Sequence, residues 1–190
     1  CAPEVVEAML PWFAEDFGNP HSVPGPGQKA AQAVDTARPT IADLMGAEAR
    51  ELVFTSGATE ANNLAIKGAA RHLKRMGNER RRVITVATEH KCVLESVRDL
   101  EIEGFDPLIL GVHGQGRVDP EALREALSVP PLLASIMTAN NEPGTLQDIP
   151  PLPRRAPEAG ALFHPDMAQM AGNLPVARDD IDLASFSAPK

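Results

Sequence analysis

Short apolar runs alternate with longer stretches of helical character from residue 51 onward, and this alternation restricts the fold more than any other feature. The apolar runs occupy residues 52–55, 83–87, 107–112, 132–137, 161–164 and 183–186. Helices are predicted from about Thr59 to Met76, from His90 to about Glu103 and from Pro120 to Leu127. Apolar strands joined by helices are typical of a parallel sheet buried on both faces. The pattern predicts an α/β fold with a mainly parallel sheet flanked by helices.

The first fifty residues have a different organisation. Residues 4–17 predict a helix interrupted near Pro11, residues 18–27 a loop, and residues 28–45 a helix kinked at Pro39. We therefore expect an N-terminal helical segment at 1–17 and one large domain at 18–190. Because no helix follows the last apolar run, we expect this domain to be incomplete.

Composition excludes several classes of function. The formal net charge of −8 argues against wrapping of nucleic acid. No apolar run approaches the roughly 18 residues of a transmembrane helix, and the N-terminus does not resemble a signal peptide. The two cysteines, Cys1 and Cys92, suggest neither a disulfide framework nor a metal site. These features favour a cytoplasmic protein without metal or membrane contacts.

Polar residues follow five of the predicted strands. They are Ser56-Gly57-Ala58-Thr59, Glu89-His90, Asn140-Asn141-Glu142, Asp166 with Gln169, and Ser187 with Lys190. In an open parallel sheet, ligands bind beyond the carboxyl ends of the strands. The recurrence of polar groups at these positions favours a binding site along that edge.

Each of these groups has a functional and a purely structural interpretation. The turn at 56–59 suits a phosphate, which would meet free N–H groups at a helix start, or it is a simple helix cap. His90 could stack on a flat ring, transfer protons or cap a helix, and Asp166 could hold a pyridine nitrogen protonated or cap a helix from residue 167 onward. Asn141 and Gln169 could bind a phenolate oxygen or close turns. Lys190 could form a Schiff base to an aldehyde cofactor or be a solvated charge.

Together these groups describe a site for pyridoxal phosphate, in which a carboxylate, a stacking ring, a phosphate cradle and a lysine are all needed. The Gly-x-Gly-x-x-Gly and P-loop patterns of nucleotide sites are both absent from the sequence.

The chain resembles the cysteine desulfurases, class V members of the fold type I pyridoxal phosphate enzymes. The matching stretches appear in family order and span most of the sequence: Gly18–Ser22, Phe54–Gly68, Thr88–Leu94, Ala139–Thr145, Phe163–Gln169 and Ser185–Lys190. The resemblance implies removal of sulfur from L-cysteine, leaving L-alanine and an enzyme persulfide. It further implies delivery of the sulfur to a partner protein for iron–sulfur cluster assembly or thiolation, and a homodimer.

The same resemblance implies roles for individual residues. Lys190 would bind the cofactor aldehyde and later move protons, and His90 would stack on the ring. Asp166 would pair with the pyridine nitrogen, while Asn141 and Gln169 would contact the ring oxygen. The phosphate would be bound by Ala58, Thr59 and Ser187.

Four departures from the family pattern stand out. Pro189, Pro165 and Pro24 replace residues that are usually polar, and each removes a backbone N–H. The chain also lacks the family's first strand and everything after Lys190, where we expect the small domain and the persulfide-forming cysteine. Neither Cys1 nor Cys92 matches that nucleophile, and Cys92 is interpreted as a buried structural thiol.

Two other functions remain open at this point. One is a related class V lyase, such as a selenocysteine lyase, on the same scaffold. The other is a non-catalytic homologue that acts as a binding or scaffold protein, which the three prolines would favour. We expect residues 1–190 alone to lack desulfurase turnover, because they contain no cysteine at the persulfide position.

Overall fold

The computed structural model describes residues 1–22, 25–140, 144–147, 160–170, 172 and 181–188. Its helices are α1 Pro3–Ala14, α2 Pro26–Leu44, α3 Ala58–Arg75, α4 Lys91–Ile102 and α5 Pro120–Ala126, with a 3₁₀ helix at Ala49–Glu51. Its strands are β1 Arg82–Val86, β2 Asp106–Leu110, β3 Leu133–Ser135 and β4 Leu162–His164. In the described ranges, no helix has the length and apolar character that crossing a membrane requires.

The chain divides into two compact units, residues 1–54 and residues 55–188. The first contains α1 and α2, which begin at a proline in the first turn, where its missing N–H is not needed. The predicted interruption of the first helix is wrong, because α1 continues through Pro11 and the N–H of Glu15 bonds to the Pro11 carbonyl. The separate N-terminal segment at 1–17 remains a prediction.

The second unit is built on a four-stranded sheet in the order β2-β1-β3-β4, with every pair parallel. Val83 pairs with Leu133, and Ser135 pairs with His164. The prediction of a parallel sheet flanked by helices is confirmed. Because all four strands run the same way, their carboxyl ends share one edge.

Both faces of the sheet are buried. On one face, Val83 and Leu133 pack with Ile66 of α3 and with Val97 and Leu100 of α4. On the other face, β1, β3 and β4 pack against α5 through the following core residues: Ile84, Val86, Leu123, Ala126, Ala134 and Phe163. Burial of both faces explains why the strands are apolar runs without polar alternation.

The strand predicted at residues 52–55 is wrong. Val53 and Phe54 are exposed by 66% and 45%, and no described strand pairs with them. The Arg38 guanidinium lies over the Phe54 ring at 4.8 Å and donates to the Leu52 carbonyl. A strand needs a neighbouring strand that bonds its backbone N–H and C=O groups. Here the Arg38 side chain bonds the Leu52 carbonyl instead.

The strand predicted at 183–186 is reduced to a single parallel bridge between Asp166 and Ser185. This segment forms backbone hydrogen bonds to β4 and the residues after it. Asp182, Leu183 and Ser185 bond to Phe163, Pro165 and Met167. Pro165 has no N–H to donate, and the N–H of Phe163 goes to the Asp182 carboxylate at 2.7 Å. Two ladder bonds are thereby lost. The carbonyl of Pro165 still accepts from the N–H of Ser185.

His164 lies in a buried polar row that crosses the sheet. Its Nδ1 is 2.9 Å from the hydroxyl of Ser135, and its Nε2 is 2.9 Å from the hydroxyl of Ser185. The ring is fully buried, and burial lowers the pKa of His164 to about 4. The imidazole is therefore neutral and connects β3, β4 and the 181–188 segment.

Protonation of His164 should make stability depend on pH. The folded pKa lies below the unfolded value near 6.5, so the contribution is complete above that value and is lost as pH falls toward 4. We expect the free energy of unfolding to fall by about 2 kcal/mol more between pH 7.5 and pH 5 in the wild type than in His164→Gln. Urea unfolding at both pH values measures this. Equal pH dependence in the two proteins would contradict the prediction.

Candidate functional site

Direct hydrogen bonds join the ends of β1, β3 and β4. After β1, the Glu89 carboxyl accepts from the N–H of Met137 at 2.5 Å, and the Thr88 carbonyl accepts from the Asn140 amide at 2.6 Å. After β4, the carbonyl of Asp166 accepts from the N–H of Thr138 at 3.1 Å. Three of the polar residues predicted to share one edge of the sheet, Glu89, Asn140 and Asp166, are therefore brought together there.

Asp166 is the buried carboxylate of this edge, with 5% of its surface exposed. Its Oδ1 accepts from the N–H of Ala168 at 2.9 Å, and its Oδ2 accepts from the Asn62 amide at 2.8 Å. The first bond caps the turn that follows Asp166, as the purely structural interpretation of this residue predicts. Each carboxylate oxygen accepts more than one hydrogen bond, so capping leaves room for a further donor.

The bond from Asn62 to Asp166 places the start of α3 beside the strand ends. Gly57 precedes α3 with φ 155° and ψ −179°, a conformation essentially restricted to glycine. No side chain caps this terminus, and the N–H groups of Ala58 and Thr59 have no acceptor among the described residues. Helix starts of this kind bind anions, because free N–H groups and the helix dipole both favour negative charge.

His90 caps α4 and is exposed to solvent. Its Nδ1 accepts from the N–H of Cys92 at 3.2 Å and lies 3.0 Å from the thiol of Cys92. The capping interpretation of His90 is confirmed. A neutral imidazole whose Nδ1 accepts a hydrogen bond carries its proton on Nε2, so the exposed edge of this ring is a donor.

Cys92 is half-buried, which corrects the expectation of a buried thiol. Its sulfur lies 3.3 Å from the Asn62 amide nitrogen. Burial raises the pKa of the Cys92 thiol, while hydrogen bonds from Asn62 and Thr59 act in the opposite direction. The Cys92 thiol is not fully buried because Cys92 lies in the first turn of α4, at the edge of the sheet where the strands end in polar residues (the polar edge).

Glu89 is a second buried carboxyl, whose role the sequence did not reveal. Burial raises its pKa well above the ordinary value, and the nearby Asp166 carboxylate adds to this effect. Glu89 Oε2 has no hydrogen-bond partner among the described residues. Its position directly after a strand was visible in the sequence, but its burial depends on how β3 packs beside it.

The remaining candidates differ in their exposure to solvent. Ser187 is half-buried and Gln169 is exposed. Asn141, Lys190, Pro24 and Pro189 lie outside the described residues. Asn62 was missed because nothing in the sequence distinguishes it from Asn63, whose amide bonds to the Thr59 carbonyl. The only available signal was helical spacing, since Asn62 shares the buried stripe of Ile66 and Ala70.

Comparison with known proteins identifies the family. The protein-family model described as "Aminotransferase class-V" matches residues 1–190. The chain belongs to the class V aminotransferase family. Members of this family use pyridoxal phosphate.

Curated relatives narrow the resemblance to cysteine desulfurases. The chain is 47% identical to "Cysteine desulfurase IscS" of Rickettsia bellii over 191 residues, 99% of this chain and 46% of that protein. It is 49% identical to the IscS of an Anaeromyxobacter species over 98% of this chain and 46% of that protein. The chain thus spans about half the length of these relatives.

Solved structures give the same result. The structure described as "SspA in complex with cysteine" has a TM-score of 0.88 and 40% identity, and the match covers 98% of this chain and 53% of that one. DndA from Streptomyces lividans has a TM-score of 0.84 and 38% identity, with coverage of 97% and 51%. The sequence-based resemblance and the fold type I assignment are confirmed.

The backbone conformation at Gly57 can be tested by substitution. An added Cβ would meet no atom within 4 Å, so the cost of Gly57→Ala is conformational and not steric. We expect a loss of about 1–3 kcal/mol in the free energy of unfolding, measured in urea. Gly114→Ala is the matched control, because its site is equally open and its φ lies outside the restricted region. A change of under about 0.5 kcal/mol for both variants would show that the turn is unstrained.

The two thiols should differ in reactivity. Cys1 is exposed, whereas Cys92 is half-buried with a raised pKa. Because the thiolate is the nucleophile, we expect iodoacetamide at pH 7 to modify Cys92 at least about tenfold more slowly than Cys1. Mass spectrometry of peptides over time measures both rates in one sample. Faster modification of Cys92 would contradict the raised pKa.

Proposed function

We propose that residues 1–190 are the cofactor-binding half of a pyridoxal phosphate-dependent cysteine desulfurase. The observation that carries the proposal is the pairing of a buried Asp166 with the uncapped start of α3, joined by the bond from Asn62. Pyridoxal phosphate has a basic ring nitrogen at one end and a phosphate at the other. A carboxylate and a cluster of N–H donors suit these two ends.

The donor set supports each part of the cofactor. Ala58, Thr59 and Ser187 would bind the phosphate, with the open space at Gly57 allowing close approach. Asp166 would hold the ring nitrogen protonated, and His90 would stack on the ring. Asn141 and Gln169 would bind the ring oxygen, and Lys190 would bind the aldehyde. The roles of Asn141 and Lys190 rest on the sequence resemblance alone.

When bound, pyridoxal phosphate supplies an electron sink that stabilises negative charge on the substrate carbons. The chain's own residues then have three tasks. Asp166 would pair with the ring nitrogen and hold it protonated, with its carboxylate oriented by hydrogen bonds from Asn62 and Ala168. Lys190 would bind the aldehyde and would move a proton to and from the substrate carbon. His90 would stack on the ring, with its Nε2–H available as a donor.

The reaction we propose converts L-cysteine and an enzyme thiol into L-alanine and an enzyme persulfide. The C–S bond breaks, the sulfur joins the thiol sulfur, and protons complete the alanine, so no external oxidant or reductant is required. Neither Cys1 nor Cys92 occupies the position of that thiol in the resembling family. Delivery of the persulfide sulfur to an acceptor for iron–sulfur clusters or thiolation, a homodimeric state and a cytoplasmic location belong to the same proposal.

Tolerance of Pro165 supports an enzyme over a degenerate scaffold protein. The carbonyl of Pro165 still binds Ser185, and Asp166 next to it keeps both hydrogen-bond donors. Pro165 therefore reduces the number of hydrogen bonds that the 181–188 segment makes to β4 and the residues after it. The Asp166 carboxylate keeps its bonds to Asn62 and Ala168.

Spectroscopy of the full-length protein tests the assignment of Lys190. Reconstitution with pyridoxal phosphate should give a near-visible absorption band, and Lys190→Ala should abolish it because Lys190 is the amine that the proposal assigns to the aldehyde. Lys67→Ala is a matched control, since the Lys67 amine pairs with the Asp99 carboxylate at 2.7 Å and so links α3 to α4. A band that survives Lys190→Ala would disprove the lysine assignment. Absence of a band from the wild type would favour the scaffold alternative.

A further inference from the structure

Asn62 occupies a position where its helix buries apolar residues. It is fully buried, and it is followed at four-residue intervals by Ile66 and Ala70, which are also fully buried. A polar side chain in such a stripe is unfavourable unless its groups are bonded. Its Oδ1 has no partner among the described residues, so stability alone does not explain an asparagine here.

The amide nitrogen of Asn62 has two hydrogens and two partners. One is the carboxylate of Asp166 at 2.8 Å, and the other is the thiol sulfur of Cys92 at 3.3 Å. With the N–H of Ala168 on the other oxygen, the Asp166 carboxylate is held by one backbone donor and one side-chain donor. Asn62 thus fixes the rotation of the carboxylate about its side-chain bonds.

The second partner extends the connection to His90. The Nδ1 of His90 accepts the N–H of Cys92, so it carries no hydrogen. The Cys92 sulfur, 3.0 Å from the same nitrogen, therefore donates its own hydrogen to Nδ1. The sulfur can then accept from Asn62. A continuous chain of hydrogen bonds runs from Asp166 through Asn62 and Cys92 to His90.

We propose that Asn62 is a positioning residue that orients the Asp166 carboxylate and, through the Cys92 thiol, the His90 ring. The inference rests on the proposed function, because Asp166 and His90 act on the cofactor there. Asn62 itself contacts neither substrate nor reacting atoms. Its two N–H groups hold the Asp166 carboxylate and the Cys92 sulfur that bonds to Nδ1, while the backbone N–H of Cys92 keeps the imidazole proton on Nε2.

Asn62→Leu in the full-length holoenzyme is the main test. Leucine has nearly the same size and suits the buried stripe with Ile66, but it removes a donor from the buried Asp166 carboxylate, so we expect the free energy of unfolding to fall by no more than about 1–3 kcal/mol. The affinity for pyridoxal phosphate should fall at least about tenfold, which is the effect of losing one charge-assisted hydrogen bond. The pH midpoint of the near-visible band should rise, because a ring nitrogen held less firmly in its protonated form withdraws less charge from the Lys190 nitrogen.

Ser96→Ala is the matched control. Ser96 is another buried polar residue of the same layer, and its hydroxyl bonds to the Cys92 carbonyl and to neither Asp166 nor His90. Its affinity for the cofactor and its band midpoint should stay at the wild-type values. Asn62→Ser, which keeps one donor, should be intermediate and serves where Asn62→Leu does not fold.

A readout without cofactor separates this inference from the proposed function. In the apo protein, loss of the Asn62 donor should slow alkylation of Cys92 at fixed pH, because that bond favours the thiolate. Unchanged cofactor affinity, band midpoint and Cys92 reactivity in Asn62→Leu would overturn the positioning role. If the wild type binds no cofactor while Cys92 still responds, the proposed function fails, and with it the role of Asn62 toward the ring.

Discussion

The parallel pairing of β1, β3 and β4 is the constraint on which the rest of the second unit depends. Because Ser135 is opposite His164, the residues that follow these two positions emerge together, and Thr138 reaches the Asp166 carbonyl. A shift of one residue would turn Asp166 toward the opposite face of the sheet. The register is secured on both faces by apolar packing against α3, α4 and α5, so the position of the polar edge follows from burial of the strands.

The sequence was sufficient for the architecture and for identifying the polar residues that follow the strands. Apolar runs with intervening helices predicted β1–β4 and α3–α5, because burial of both faces of a parallel sheet leaves a strong signal. The sequence did not predict the structure of residues 52–55 and 183–186 correctly, because a strand there depends on a neighbouring strand to pair with. In the first segment, Arg38 bonds the Leu52 carbonyl that a neighbouring strand would otherwise bond. In the second, Pro165 and Asp182 remove two hydrogen bonds of the strand ladder. These are tertiary facts that local pattern does not contain.

The same distinction applies to the candidate site. Asp166 and His90 were identified because they directly follow strands, and the structure places both at the sheet edge. Asn62 and Glu89 were not assigned a role, because their importance arises from burial and from partners distant in sequence. Asn62 reaches Asp166 across 104 positions, and Glu89 reaches Met137 across 48. Polar groups of this kind become recognisable only when the packing of helix against sheet is known.

The distribution of unsatisfied polar atoms indicates where stability has been given up. Within the described residues, four buried side-chain atoms lack a partner, and three of them, in Asn62, Thr88 and Glu89, lie at the polar edge. Each such atom costs about 1–3 kcal/mol relative to a satisfied one. Apolar residues would fill these positions at no such cost, as Ile66 and Ala70 do along the same helix. A concentration of unfavourable polar groups at one edge is what selection for a binding site produces and selection for stability removes. Burial and hydrogen bonding alone thus favour a binding site at this edge, independently of any resemblance to known enzymes.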